Sequence, residues 1–156
     1  MYAHEVTSLS IDISVCAEAE LAAVADEIES QLLASLRRDS AQASNTQFGI
    51  IARHKDGMLL GGLIASTSYG WLLIKLLWIT KSARGRGLAT RLMEIAETTA
   101  LSRGCHGAWL DTSSVRANAF YRKLGYRPFG KLENRRGEQP EKHRRYFLCM
   151  RLHERG

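Results

Sequence analysis

The 156-residue sequence predicts an α/β fold, built on one mixed sheet with helices on both faces. Three observations predict it. Strand-like and helix-like stretches alternate through the middle of the chain, hairpin signals flank them at both ends, and no linker, internal repeat or low-complexity tract divides the sequence. We therefore expect residues 1–156 to form a single domain with its own hydrophobic core.

The N-terminal third predicts a strand, a helix and a β-hairpin. Apolar residues alternate with polar ones over Ser10–Val15, which is typical of a strand. From Glu18 to about Arg37 apolar residues recur every three or four positions, which predicts an amphipathic helix. A polar loop, Asp39–Thr46, then precedes the strands Gln47–Arg53 and Met58–Ser66, which an Asp-Gly turn joins.

The rest of the chain predicts two helices and four strands. In chain order they are a strand over Trp71–Ile79, a helix from Leu88 to about Ser102, a strand over Gly107–Leu110 that ends at Asp111, a helix over Ala117–Leu124, and strands over Tyr126–Gly130 and Arg145–Leu152. A long polar loop, Glu133–His143, separates the last two strands.

The turn after the long strand has the composition of an anion site. Its sequence is Lys81-Ser82-Ala83-Arg84-Gly85-Arg86-Gly87, and the next helix follows directly. The first N–H groups of a helix have no partner within it, and the helix dipole adds partial positive charge there. Glycine allows a ligand close to the backbone, and the arginines add full charge. The turn therefore predicts a site for a phosphate or pyrophosphate.

The spacing of the turn excludes two common phosphate loops. The Walker pattern is absent, and the place of the third glycine or alanine of a dinucleotide loop is taken by Thr90. What remains, Arg84-x-x-Gly87-x-Ala89, resembles the pyrophosphate loop of the GNAT superfamily of N-acetyltransferases. Taken alone, the turn also fits an ordinary arginine-rich link between strand and helix.

A second stretch carries the same resemblance. Asn118-Ala119-Phe120-Tyr121-Arg122-Lys123-Leu124-Gly125-Tyr126 is similar to the GNAT helix that bears Phe-Tyr and ends in a Leu-Gly-aromatic turn. The preceding strand end Trp109–Thr112, the strand end Leu77–Ile79 and the closing strand Arg145–Leu148 also agree in order and spacing. By this resemblance, which covers about residues 60–152, the chain is identified as a member of the GNAT superfamily, of the small bacterial type.

The resemblance implies a fold and a cosubstrate. The sheet would have about seven strands, mixed and mostly antiparallel, with helices on both faces. The fourth and fifth strands, Leu72–Ile79 and Gly107–Asp111, would splay apart to admit acetyl-CoA. The residues implied in its binding are Leu77, Trp78, Ile79, Arg84, Gly85, Arg86, Gly87, Leu88, Ala89, Thr90, Ser114 and Ala117. Ser114 stands where many relatives have an asparagine that touches the cofactor.

The resemblance also implies direct attack of an acceptor amine on the acetyl thioester. Tyr121 matches the tyrosine that often protonates the leaving thiolate, and a phenol is normally protonated at neutral pH. From spacing alone Tyr121 also fits a core aromatic residue. The general base is not evident, because Lys75 stands near the place of the usual acidic residue. Asp111 is the candidate, with capping of the following loop as its alternative role, and His143 is a second candidate or an exposed surface histidine.

Two other functions stay open at this point. Without an evident base, the chain also fits a non-catalytic acetyl-CoA-binding sensor. A basic nucleic-acid-binding module is disfavoured, because neither a recognition helix nor an aromatic and basic RNA signature is present. The acceptor implied is a small-molecule or amino-acid amine, and relatives in the family often form homodimers.

The distribution of charge indicates which kind of ligand the protein binds. The net charge is +6, and Arg84, Arg86 and Arg91 surround the phosphate turn, which suits a polyanionic cofactor. The other basic group indicates a solvated surface, and it comprises Arg135, Arg136, Lys142, Arg144 and Arg145.

Cys16, Cys105 and Cys149 lack metal-ligand spacing, so we expect reduced thiols and no metal. No signal peptide or membrane span is visible, which predicts a cytoplasmic protein without a membrane partner.

Overall fold

The structure, a computed structural model, describes residues 10–41 and 45–152. Its helices and strands, in chain order, are α1 (Leu21–Asp39), β1 (Thr46–Arg53), β2 (Leu59–Ser68), β3 (Trp71–Ile79), α2 (Leu88–Ser102), β4 (Gly107–Thr112), α3 (Val115–Lys123), β5 (Arg127–Glu133) and β6 (Arg144–Arg151). Short 3₁₀ turns precede α1 at Glu18–Glu20 and follow β3 at Lys81–Ala83. Among the described residues, no helix is long and apolar enough to cross a membrane.

One sheet organises the chain, with strand order β1-β2-β3-β4-β6-β5. Its neighbouring strands are antiparallel except β3 and β4, which run parallel. The predicted mixed, mostly antiparallel sheet with flanking helices is therefore confirmed. The described part of the chain has six strands where about seven were expected.

The prediction of a strand over Ser10–Val15 is wrong. These residues have no strand partner, and the side chains of Ile13 and Val15 are 92% and 97% exposed. Alternation of apolar and polar residues stabilises a strand only where a neighbouring strand pairs with it and one face is covered. The helix predicted to follow is confirmed, and it runs as one α-helix to Asp39.

The core lies between the sheet and α2, with α3 beside it. Buried side chains come from β2, β3, β4, β6 and both of these helices. α2 contributes Leu92, Met93, Ala96, Glu97 and Ala100. Glu97 is a buried acidic residue of α2: it is 5% exposed and accepts a hydrogen bond of 3.0 Å from the Tyr126 hydroxyl.

A bulge separates β3 from β4 and creates the expected gap. β3 pairs with β4 only from Trp71 to Ile74. There the register of β3 against β2 shifts, and Lys75 is left as an extra residue between Ile74 and Leu76. Beyond the bulge β3 stays on β2 to Ile79 and leaves β4 without a partner on that side. The splay predicted between these two strands is confirmed.

Candidate active site

The last residues of β3 present unpaired main-chain groups to the gap. The N–H of Thr80 donates to the Leu60 carbonyl of β2 at 2.8 Å. Because the hydrogen-bonding direction alternates along a strand, Trp78 also bonds toward β2, whereas Leu77 and Ile79 direct their N–H and C=O groups into the gap. The sequence predicted cofactor contacts for all three residues. The structure leaves both main-chain groups of Leu77 and the N–H of Ile79 without a strand partner on that side, whereas the Ile79 carbonyl accepts from the side chain of Arg84.

Two glycines shape the turn that follows β3. Gly85 and Gly87 have φ of 76° and 75°, the left-handed region that other residues enter only at a cost. Gly87 is the N-cap of α2, so the N–H groups of the first helical turn, from Leu88 onward, point out of the helix end. The side chain of Arg84 donates from Nε to the Ile79 carbonyl at 3.0 Å, which ties the turn to the end of β3.

A cavity of about 500 Å³ joins the gap to the helix end. Its lining residues come from the end of β3, the glycine turn, the start of α2 and one side of α3: Leu77, Trp78, Ile79, Ala83, Arg84, Gly85, Gly87, Leu88, Ala89, Thr90, Ser114, Arg116, Ala117, Phe120 and Tyr121. The structure thus brings the predicted cofactor-binding residues together around one space, with one exception. That space is apolar between β3 and α3 and rich in donors at the α2 end.

Arg86 is the exception. It lines a neighbouring depression of about 360 Å³, together with Arg91, His54 and Ser82. Ala83 and Leu88 border both spaces. Arg86 therefore lies on the other side of the turn from the cavity.

Tyr121 is buried in the wall of the cavity. Its side chain is 7% exposed and makes edge-on ring contacts with Phe120 at 5.2 Å and with Tyr126 at 6.0 Å between centroids. Its hydroxyl is not among the buried unpaired polar atoms of the described residues, so the oxygen opens on the cavity. Burial raises the pKa of Tyr121 to about 12, which keeps the phenol protonated across the physiological range.

Ser114 and Asp111 have structural partners of their own. The hydroxyl of Ser114 accepts a hydrogen bond from the Ala117 N–H at 3.1 Å and caps α3. This cap starts α3 at Val115, two residues before the predicted start. Asp111 does not line the cavity, and its carboxylate forms an ion pair of 3.2 Å with Arg145.

Three residues of the cavity wall were missed from the sequence. Arg116 adds a cation in the first turn of α3, and Ala83 and Phe120 add apolar surface. The signal for Arg116 was its position between Ser114 and Ala117, since both neighbours were predicted to touch the cofactor. Among the described residues, no group of three histidine, cysteine, aspartate or glutamate side chains is placed to hold a metal ion.

Comparison with known proteins gives two curated relatives. An acetyltransferase of Agrobacterium fabrum is 35% identical over 91 residues, which is 58% of this chain and 66% of the relative. The blasticidin-S acetyltransferase of Streptomyces morookaense is 42% identical over 72 residues, which is 46% of this chain and 53% of that protein. The aligned part of this chain thus spans just under two thirds and about half of these relatives.

Solved structures share the fold over more of the chain. A structure from Agrobacterium tumefaciens, assigned as an acetyltransferase, has a TM-score of 0.76 and 29% identity over 92% of this chain and 99% of that chain. An aminoglycoside 6'-N-acetyltransferase in complex with coenzyme A has a TM-score of 0.58 and 21% identity, over 68% and 73% of the two chains. At that identity the second likeness concerns the fold alone.

The family model that matches this chain is described as the acetyltransferase (GNAT) family. The match covers residues 17–126, which include the bulged strand, the glycine turn and the helix that bears Tyr121. Since this match extends over most of the chain, the protein belongs to the acetyltransferase (GNAT) family.

Proposed function

We propose that the protein transfers the acetyl group of acetyl-CoA to the amine of a small molecule or amino acid. The observation that carries the proposal is one cavity that contains a sheet gap, a free helix N-terminus and a buried tyrosine. Each part suits one part of the cosubstrate. The gap is apolar with main-chain groups on one wall, the helix end would bind an anion, and the phenol lines the same space.

The chain has groups to hold both ends of acetyl-CoA. Leu77, through its gap-facing N–H and C=O groups, and Ile79, through its N–H, would pair with the amides of the pantetheine arm. The N–H groups at the start of α2 would bind the pyrophosphate, together with the positive charges of Arg84 and Arg116. When bound, acetyl-CoA supplies an acetyl group activated as a thioester.

The same residues would serve the chemistry. An N–H at the end of β3, at Leu77 or Ile79, would stabilise negative charge as it develops on the acetyl oxygen. Tyr121 would donate its hydroxyl proton to the departing sulfur, because it is protonated and opens on the cavity. Phe120 and Ala117 would exclude water from this end of the space.

The acceptor is proposed to be a small amine rather than a protein. Blasticidin-S acetyltransferase, named for a small molecule, is 42% identical over the shared 72 residues. We therefore expect activity first on blasticidin S, other amine-bearing antibiotics and amino acids.

The direct test is a panel of amines with release of the coenzyme A thiol as readout. Binding of coenzyme A is measured in parallel by calorimetry. Turnover with one class of amine supports the proposal. Tight binding of acetyl-CoA without thiol release on any amine would instead favour a non-catalytic sensor, and no binding of coenzyme A would remove both functions.

A further inference from the structure

A chain of four polar side chains lies beside the cavity and is not used by the proposed function. Asp111 Oδ2 is 3.2 Å from Arg145 Nη1, Arg145 Nε donates to Ser113 Oγ at 3.4 Å, and Ser113 Oγ is 3.4 Å from His143 Nε2. None of the four lines the cavity. Ser113 directly precedes Ser114, which does, so the cluster begins at the edge of the cavity.

The register of β4 and β6 places this cluster on the face of the sheet away from α2. Asp111 lies opposite Phe147 and Thr112 lies opposite Tyr146, so Ser113 comes next to Arg145. Leu110 is buried in the core against α2, and side chains alternate along a strand, so Asp111 points to the other face. The cluster therefore lies on the face of the sheet opposite α2, at the end of β4 where pairing with β3 has stopped.

That face is where an acceptor would arrive, if the proposed function holds. The anchoring groups at the start of α2 and the phenol of Tyr121 occupy the side of the gap that faces α2. An amine that attacks the acetyl group must come from the side that the cosubstrate leaves open. An amine that enters there meets Ser113 at the end of β4 before it reaches the cavity.

The contacts of Ser113 allow its hydroxyl to link an incoming N–H to His143. A guanidinium only donates, so Ser113 Oγ accepts from Arg145. When His143 carries its proton on Nδ1, Nε2 accepts the single proton of Ser113, and one lone pair of the serine oxygen stays available for an incoming N–H. Separations of 3.4 Å are in the range that catalytic hydrogen bonds show before substrate is bound.

Within the cluster of Asp111, Ser113, His143 and Arg145, the carboxylate is already paired with the guanidinium, so His143 is the group proposed to take up a proton. The carboxylate of Asp111 on β4 is paired with Arg145 on β6, and Glu141 and Lys142 precede His143 in the loop. The main chain of His143 is held on both sides: its N–H donates to the Pro140 carbonyl at 3.3 Å, and its carbonyl accepts from the Asn134 N–H at 2.9 Å. The polar loop thus positions one imidazole at the end of β4.

We propose that Ser113 and His143 accept the proton of the acceptor ammonium, Ser113 by direct contact and His143 as the carrier. An N–H bond of the ammonium breaks, its proton passes to Ser113 Oγ, and the proton of Ser113 passes to His143 Nε2. The freed lone pair forms the C–N bond, and the C–S bond breaks with its electron pair on sulfur. Sulfur takes the proton of Tyr121, a proton from the new amide nitrogen restores Tyr121, and His143 releases its proton to water.

The test compares His143→Gln and Ser113→Ala with the wild type, using blasticidin S or, if it is not acetylated, the fastest amine of the panel. The glutamine side chain can still form hydrogen bonds, but it cannot take up a proton at neutral pH. We expect kcat/KM for the amine to fall about 100-fold at pH 7 in both variants, as for loss of a general base. The deficit should shrink as the pH passes the pKa of the amine, which then arrives deprotonated. Coenzyme A affinity, measured by calorimetry, should not change.

His106→Gln is the matched control, because His106 packs against Trp71 at the other end of β4. It should keep the wild-type pH profile. If His143→Gln lowers kcat/KM by the same factor at every pH, or does not lower it at all, the proton-acceptor role is overturned. Either result leaves the acetyltransferase function intact. If no amine is acetylated by the wild type although coenzyme A binds, the proposed function fails, and this inference fails with it.

Discussion

Tyr121 combines a core position with a hydroxyl that opens on the cavity. From the sequence it fitted either a core aromatic residue or the acid of the family mechanism. The structure shows that the two are compatible, because the ring packs against Phe120 and Tyr126 while the residue lines the cavity. Its burial raises the pKa to about 12, so the phenol keeps its proton throughout the physiological pH range.

Replacement of Tyr121 by phenylalanine should lower kcat by about 100-fold with little change in coenzyme A affinity, since the ring contacts remain and only the proton donor is lost. The measurement is steady-state thiol release together with calorimetry. Tyr69→Phe, at the exposed turn between β2 and β3, is the control and should keep full activity. Unchanged turnover in Tyr121→Phe would exclude the acid role.

The raised pKa of Tyr121 also predicts how stability depends on pH. In the unfolded chain the phenol titrates near pH 10, and in the folded protein at about 12. Its contribution is therefore complete below pH 10 and is lost as the pH rises toward 12, by about 2–3 kcal/mol in the free energy of unfolding. Urea unfolding of wild type and Tyr121→Phe between pH 9 and pH 11.5 measures this difference. A difference in the free energy of unfolding between the two proteins that stays constant with pH would contradict the burial of this phenol.

At the scale of single elements, local sequence signals predicted the turns well. The Asp-Gly turn between β1 and β2 is confirmed: Gly57 has φ of 95° and the His54 N–H donates to the Met58 carbonyl at 2.9 Å. α2 is followed by a glycine in the left-handed region, Gly104, with φ of 82°. Such turns depend on a few adjacent residues, so the sequence is sufficient to identify them.

Gly87→Ala tests the start of α2. Alanine at a φ of 75° costs about 1–2 kcal/mol, so we expect a lower free energy of unfolding and weaker binding of coenzyme A as the helix end shifts. Gly130→Ala is the matched control, because its φ is not positive and an added Cβ would lie 3.9 Å from Phe147, an ordinary contact. Equal coenzyme A affinities in the two variants would show that the left-handed N-cap does not matter for binding.

At the scale of the whole molecule, stability resides in the sheet and its packed helices rather than in α1. α1 has no buried residue, although its apolar residues recur with helical period. The core cluster of buried residues begins in β2 and extends to the end of the described chain. Amphipathic periodicity therefore predicted a helix correctly but said nothing about how well its apolar side is covered.

Two leucine-to-alanine changes compare how much α2 and α1 contribute to the free energy of unfolding. Leu92 of α2 is 3% exposed and Leu32 of α1 is 55% exposed. Leu92→Ala should lower the free energy of unfolding by about 2–5 kcal/mol through the cavity it leaves. Leu32→Ala should stay within about 0.5 kcal/mol, as expected for a surface change. A large loss for Leu32→Ala would show that α1 is covered in solution by a surface that one chain does not provide.

Local chemistry in the sequence was enough for the strand, glycine turn and helix that border the cavity, for the helix that bears Phe120 and Tyr121, and for the mixed sheet, because glycine conformations, helix ends and periodicities depend on neighbouring residues. Contacts between distant residues needed the three-dimensional structure. Ser113 meets His143 across 30 positions and Tyr126 meets Glu97 across 29, and neither pair has a sequence signal. Strand register brings such residues together, and the register follows from how the whole sheet packs against α2.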